Sequence, residues 1–401
     1  MTITQPVDTV HFQGAGTAPA LDRLTTGLLL AFVASVQLSI FVAEILLTAL
    51  LLCWVIGLAR EKSRPTAPTF FLALLVYGGF TLLSSLFSID PLESLVDSRE
   101  LALFLIVPAV YDLARGHRAT TVADVIITVG AAAAAYGIIQ YGMFHYDSLG
   151  RRPTGTLGHY MTYSGTLMLV VGLAASRLVF GSRDRTWSAL VMPALVVALS
   201  LTLTRSAWVG ACVAVGLLFI LKDLRLIGLL PVVGALFFAF APDSVSDRMM
   251  SMFDLRDPTN RDRLAMVRAG GAMVRDYPFV GVGPNMIPRL YEQYRDPDAV
   301  QATTPHLHNV PLQIAAERGL PALGVWIAFI VMLAVGLVRL FRSRRDRTLA
   351  AGGLAAIAAM LSAGLFEYNF GDSEFLMLFL VLVTVPFAQA RSDDAAASPH
   401  A

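Results

Sequence analysis

The chain has 401 residues, 56% hydrophobic and only 15% charged, with a mean hydropathy of +0.66. A water-surrounded domain is about half apolar and about a quarter charged, so this composition excludes an ordinary soluble protein and points to lipid. The formal charge of +1 says nothing about partners, and the two cysteines, Cys53 and Cys212, lie in apolar runs, which excludes a disulfide framework or a CxxC metal site.

Residues 1–20 are polar and mixed, without a basic segment, apolar core and cleavage site in series. They read as a disordered cytoplasmic tail ahead of an uncleaved anchor. A bilayer core asks for about 20 apolar residues per helix. Residues 24–59 are almost uninterruptedly apolar, too long for one span and suited to two short ones turning near Gln37–Ser39. Further candidate spans are 69–87, 99–113, 122–142, 161–180, 186–203, 205–222 and 224–241, then 321–340, 348–366 and 374–390. The expectation is therefore an all-α polytopic membrane protein of about twelve transmembrane helices. Nine span 21–241, three span 321–390, a helical loop fills 242–320, and 391–401 is a second cytoplasmic tail.

Charge placement orients these spans. Seventeen of the thirty Lys and Arg, among them Arg60, Arg64, Arg115, Arg118, Arg183, Arg344, Arg345 and Arg391, fall on the side shared by the two termini. The short loops of the other side hold only Arg99, Arg151, Arg152 and Arg205. The positive-inside rule then puts both termini in the cytoplasm and the long loop outside.

Basic residues on the outer side run against that rule, so each invites a reason. Arg205, in LTLTRSAWVGA, sits at a membrane boundary where a charge is costly without water or a partner. It reads either as an interfacial arginine snorkelling to headgroups or as an anion ligand at a cavity mouth. Arg151 and Arg152 precede PTGTLGHYMTYSG and read equally as lipid-headgroup contacts. In the long loop, 258–277 predicts a helix with Leu264, Met266–Val267, Gly270–Gly271 and Met273–Val274 on one face. Asn260 is its expected N-cap and Pro278 its end. Arg261, Arg263, Arg268 and Arg275 cover part of the other side, as ligands or as a solvated face. FVGVGPNMIP then reads as a glycine turn allowing close backbone approach.

In TTPHLHNVPLQIAAERGLPALG, Asn309 can cap a helix with Pro311 in its first turn, Gly319 at its end and Pro321 opening the next span. His308 lies just before that N-terminus, where the dipole favours anions and a neutral imidazole. It reads as a general base or as a structural cap. His306 and His308 also admit a zinc reading, but HxH alone lacks a third ligand at diagnostic spacing. Glu367, Asp372 and Glu374 in FEYNFGDSEF orient a base, bind sugar hydroxyls or mark an ordinary polar turn, the last being the default.

Four segments together resemble the O-antigen ligase and polymerase superfamily of membrane glycosyltransferases: RRPTGTLGHYMTYSG, TRSAWVG, NRDRLAMVRAGGAMVRDYPFVGVGPNMI and HLHNVPLQIAAERGLPALG. The likeness covers about residues 70–390, in the family's order and all at the expected outer face. Val267 stands where the family usually has tryptophan, and Ala322 where its pattern has a second glycine. The resemblance implies a GT-C-like fold, no metal and no cofactor. It implies transfer of a glycan from undecaprenyl diphosphate to a lipid A-core hydroxyl at the periplasmic face of a Gram-negative inner membrane, with membrane lipids but no nucleic acid as partners. Arg205 and Arg263 (or Arg261) would clamp the diphosphate and His308 would be the base. Arg151, Arg152, His159, Arg268, His306 and Asn309 would contact substrate. The single dominant outer loop is more like a ligase than a polymerase. A transporter is the rival reading from another class, but span centres are nearly free of charge, whereas transporters keep coupling charges near the midplane.

Overall fold

The computed structural model describes residues 18–181, 185–254, 256–343 and 347–397. The tail expected over 1–20 falls outside these residues except for its last three positions, as do Arg183, Arg344, Arg345 and the end of the C-terminal tail. The described residues form helices and no named strand: α1 (Ala18–Ser35), α2 (Ile40–Glu61), α3 (Phe70–Leu86), α4 (Pro91–Asp97), α5 (Ile106–Leu113), α6 (His117–Phe144), α7 (Tyr160–Phe180), α8 (Arg185–Leu201), α9 (Arg205–Lys222), α10 (Leu229–Phe240), α11 (Asp243–Met250), α12 (Pro258–Asp276), α13 (Ile287–Tyr294), α14 (Val310–Ser343), α15 (Thr348–Ala363) and α16 (Ser373–Ala397).

Six of these, α2, α6, α7, α9, α14 and the Ser373–Arg391 part of α16, are long and apolar enough to cross a membrane, and α3, α8 and α15 are shorter apolar helices. The order of the expected spans is kept, but two are not continuous helices. Residues 99–113 divide into a 3-10 stretch, Ser98–Leu105, and the eight-residue α5. Residues 224–241 divide into a 3-10 stretch, Leu224–Gly228, and α10, which at 12 residues is only about 18 Å long, short of a bilayer core of about 30 Å. The first pair turns where expected. Gln37 is buried in that turn and its side chain donates to the Ile126 carbonyl at 3.1 Å, tying the hairpin to α6.

Enclosure separates the core from the lipid face. The spans α7 and α16 are 83% and 78% buried and α2 only 22%. Phe41, Ile45, Leu52 and Val55 of α2 and Leu72, Leu75, Leu82 and Leu86 of α3 are exposed, an apolar surface that only lipid can cover stably. At the centre, α15 packs on α7 and α9 through small residues. A Cβ on Gly172 would meet the Ala355 and Ala214 methyls at van der Waals range, and one on Gly210 would strike the Met168 sulfur. Such residues let helix backbones approach in a membrane, where dispersion contacts drive association.

The loop 242–309 has its own small core of Met266, Ala269, Met273, Ile287, Tyr291 and Leu307. The buried stripe of α12 is Asp262, Ala265, Met266, Ala269, Gly270 and Met273. Leu264 and Val267 lie off it and are exposed, which corrects the expected face by about one position. The cap is also corrected. Asp257, not Asn260, accepts from the Thr259 and Asn260 amides, with Pro258 opening the helix. The glycine turn does bring backbones together. The Val282 amide donates to Ala316 O and Gly283 to Glu317 O, each at 2.9 Å. At Gly281 (φ +68°) a Cβ would overlap the Glu317 carbonyl, so only glycine fits. Gly319 (φ +82°) breaks α14 against the same turn. This contact seats the loop on the bundle.

Candidate active site

A cavity of about 350 Å³ opens where the loop meets the bundle. Arg205 stands at the first position of α9, after the extended Thr204. It is buried and donates to the Ser251 carbonyl at 2.9 Å, to Ser251 Oγ at 3.1 Å and to Asp257 Oδ1 at 3.3 Å. The carboxylate of Asp257 also lies 3.7 Å from Arg248. Arg205 therefore does not snorkel outward: the 3-10 turn after α11 and the start of α12 hold it in place.

Arg248, Arg152 and Arg263 complete a lining of four guanidiniums. Arg248 is pulled down to about 10, first by burial and then by the charges of Arg205 and Arg152, with Asp257 opposing. Its Nε has no hydrogen-bond partner among the described residues. Arg152 is likewise lowered by burial and by Arg205. Its Nε donates to Leu149 O, and its guanidinium stacks 4.2 Å from the Tyr160 ring centroid. Burial lowers Arg263 too, against the pull of Glu367. Among the described residues Arg263 makes no ion pair and lies 5.9 Å from the Phe366 centroid, a favourable cation–π placement. Asp262, on the same cavity wall, is occupied by the amides of Val300 and Gln301. So much like charge around one void is costly unless an anion enters.

His306 and His308 line the same cavity. Asn309 Oδ1 accepts from the Leu312 amide at 2.9 Å, which caps α14 as expected, while Asn309 Nδ2 holds the Leu365 carbonyl. His308 has φ +49°, a left-handed conformation that costs a residue with a Cβ on the order of 1 kcal/mol. Its Nδ1 lies 2.9 Å from Glu367 Oε2. An Nδ1–H donated to that carboxylate leaves the Nε2 lone pair available, the tautomer a general base requires. Burial would raise the Glu367 carboxyl, but the hydrogen bond from His308 and the nearby His308, His306 and Arg263 hold it below its usual range. His306 is pressed down to about 4, chiefly by burial. Its Nδ1 faces the His308 amide at 3.4 Å, and its Nε2 lies 3.5 Å from Glu367 Oε1.

His306, His308 and Glu367 also each offer a metal-ligand atom, all within 4.8 Å of one another. A tetrahedral zinc with bonds of about 2.1 Å spaces its donor atoms about 3.4 Å apart. The 2.9 Å separation of His308 and Glu367 fits a shared proton better. Behind the histidines a second chamber of about 160 Å³ is bounded by His159, His306, Glu367 and Tyr368.

Of the residues singled out in the sequence, Arg152, His159, Arg205, Arg263, His306 and His308 meet at the cavity. Four do not line it. Arg151 stacks on Tyr146 at 4.4 Å, Arg261 is exposed and donates to Asp298 O, Arg268 pairs with Asp296 at 2.9 Å, and Asn309 is a cap. The sequence reading missed Arg248 and left Glu367 as part of a polar turn. Asp372 does fit that default: it bonds Thr162 and caps α16 through the Phe375 amide.

No curated protein matches the chain. Residues 189–327 match the family described as O-Antigen ligase, whose members are membrane glycosyltransferase-like enzymes with lipid-linked glycan and lipid acceptor substrates. That stretch runs from within α8 to within α14 and excludes Arg152, His159 and Glu367, which the bundle supplies from outside it. The matched stretch, residues 189–327, carries Arg205, Arg248, Arg263 and both histidines, and its match supports the O-antigen ligase and polymerase superfamily.

Proposed function

We propose that the protein is an inverting, metal-independent O-antigen ligase of the Gram-negative inner membrane. It moves a glycan from undecaprenyl diphosphate to a hydroxyl of lipid A-core at the periplasmic face. The observation that carries this reading is the juxtaposition of four guanidiniums with a carboxylate-held imidazole around one cavity. Guanidinium forks match phosphate oxygens better than ammonium groups do, and both lysines, Lys62 and Lys222, lie on the other side of the proposed membrane.

The donor diphosphate sits against Arg205, Arg248 and Arg263. The acceptor oxygen attacks the anomeric carbon from the face opposite the diphosphate, while His308 Nε2 takes its proton. The anomeric C–O bond breaks with its electron pair passing to the diphosphate, whose growing charge the arginines balance. Preorganised charge of this kind is worth about 10²–10³ in rate per contact. Charge asymmetry supports an external cavity, and the family match supports the substrate class.

Lipopolysaccharide gel profiles of a deletion strain test the reading. Loss of all long chains with carrier-linked polymer accumulating is the expected result. A single capped repeat on the core would make the protein a polymerase instead, and an unchanged profile would remove both.

A further inference from the structure

A larger cavity, about 680 Å³, lies at the other end of the bundle. It is bounded by the start of α1, the ends of α2 and α5, the start of α6 and, at Arg391, the last helix. The helix α6 runs from this cavity at Arg118 to the external loop, where Gln140 binds Gly155. At 28 residues that is about 40 Å, so the two cavities face opposite sides of the membrane.

The chemistry of this void is divided. Cys53, Trp54, Gly57 and Leu58 of α2 make an apolar wall, while Leu52, Val55 and Ile56 carry exposed apolar surface on the other side of the same helix. The rim carries Arg60, Arg64, Arg115, Arg118 and Arg391 against Asp22, Glu61 and Asp112. Three of the arginines are spoken for. Asp112 takes Arg115 at 2.9 Å and Arg391 at 2.8 Å, and Asp22 takes Arg118. Asp112 is itself fixed by Thr66 and by Trp54 Nε1, so the paired half of the rim is rigid. Among the described residues Arg60 and Arg64 have no ion-pair partner, and both are exposed. An arginine-rimmed void with an apolar wall on a helix long enough to cross a membrane suits a molecule with an anionic head and acyl tails.

We propose that this cavity is a binding site for an anionic glycerophospholipid of the cytoplasmic leaflet. Arg60 and Arg64 hold the headgroup phosphate, and the acyl chains follow α2 past Gly57 and Cys53. Arginine provides bidentate phosphate contacts, and basic pockets between helices on the cytoplasmic side are where anionic headgroups collect. Only the assignment to a leaflet rests on the proposed orientation; the lipid chemistry does not depend on the transfer reaction.

Native mass spectrometry of the full chain in neutral detergent tests this, with phosphatidylglycerol, phosphatidylcholine and inorganic phosphate as probes. Retention of phosphatidylglycerol about tenfold or more over phosphatidylcholine is expected, falling to parity in Arg60→Gln/Arg64→Gln. Those residues are exposed and have no ion-pair partner among the described residues, so the variant should fold. Gly57→Phe fills the apolar end and should release phosphatidylglycerol while leaving the arginines in place; a Cβ there meets only Leu21, at 3.8 Å. Glycan transfer should be unchanged in both variants when assayed in neutral lipid. Equal retention of the two lipids, or a preference surviving the double arginine change, would overturn the proposal. So would displacement of phosphatidylglycerol by millimolar inorganic phosphate with Gly57→Phe without effect, which would make the cavity a small-anion site.

Discussion

His308 Nδ1 and Glu367 Oε2 lie 2.9 Å apart, joining the end of the long loop to the turn between α15 and α16 across 59 residues of sequence. In the proposed mechanism the pairing fixes one imidazole nitrogen so that the other can act, with Glu367 as a positioning residue. Glu367→Gln keeps the volume but not the charge or the tautomer preference. Transfer should fall about 10²-fold or more, with donor KM changed little. A rate within a few-fold of wild type would show that the carboxylate does not orient the base.

The loop arginine is a matter of helix geometry. Arg261 and Arg263 are two apart on α12, so they point to nearly opposite sides; only Arg263 lines the cavity. Arg263→Ala should cost about 10²–10³ in rate. Arg261→Ala loses one exposed contact and should stay within a few-fold. Steady-state kinetics on the two variants separate them, and the reverse order would relocate the anion site.

Arg248 shares Asp257 with Arg205 and is short of hydrogen-bond partners. Arg248→Ala should lower transfer by about 10², with Arg248→Lys recovering part of it by charge alone. Inhibition by inorganic diphosphate should weaken in parallel. Unchanged inhibition in Arg248→Ala would mean that this guanidinium serves the loop rather than the ligand.

Acid should destabilise the site from a defined point. The unfolded His306 takes up a proton near 6.5, whereas the folded one does so only at about 4. Below about pH 6.5 the unfolded state binds more protons, so stability falls with pH down to about 4 and is fully present above the window. Glu367 has the depressed carboxyl. Its contribution is present above the unfolded carboxylate value and is lost as pH falls through its lower folded value. Melting temperature should drop between about pH 7 and pH 4.5, and His306→Gln should flatten that drop. A wild-type curve level across the window contradicts the assignment.

Two glycines give opposite stability predictions. Gly281→Ala forces a Cβ onto the Glu317 backbone at positive φ and should unseat the loop, lowering both melting temperature and transfer. Gly271→Ala sits on an exposed helical position with open space around it and should stabilise by about 1 kcal/mol. Thermal melts of both variants check the pair.

What the sequence made legible was local. The turn at Gln37–Ser39, the Asn309 cap with Pro311, and the break at Gly319 follow from backbone chemistry within a few residues. Arg205 stood out because a charge at a membrane boundary needs a reason. Glu367 did not, because nothing near it in sequence distinguishes it from Asp372 and Glu374; its role comes from a contact with a distant loop. Arg248 was hidden similarly, one arginine among nine in a long loop. Long apolar runs also overstate span number, since 99–113 and 224–241 are hydrophobic enough but break into 3-10 and short helical pieces.

The most direct test is a paired measurement on His308→Ala in proteoliposomes: binding of the undecaprenyl-diphosphate-linked donor and glycan transfer to lipid A-core. Donor affinity near wild type with transfer reduced by about 10² or more is the predicted result, because the guanidiniums remain and only the proton acceptor is gone. Transfer at nearly the wild-type rate would contradict the account.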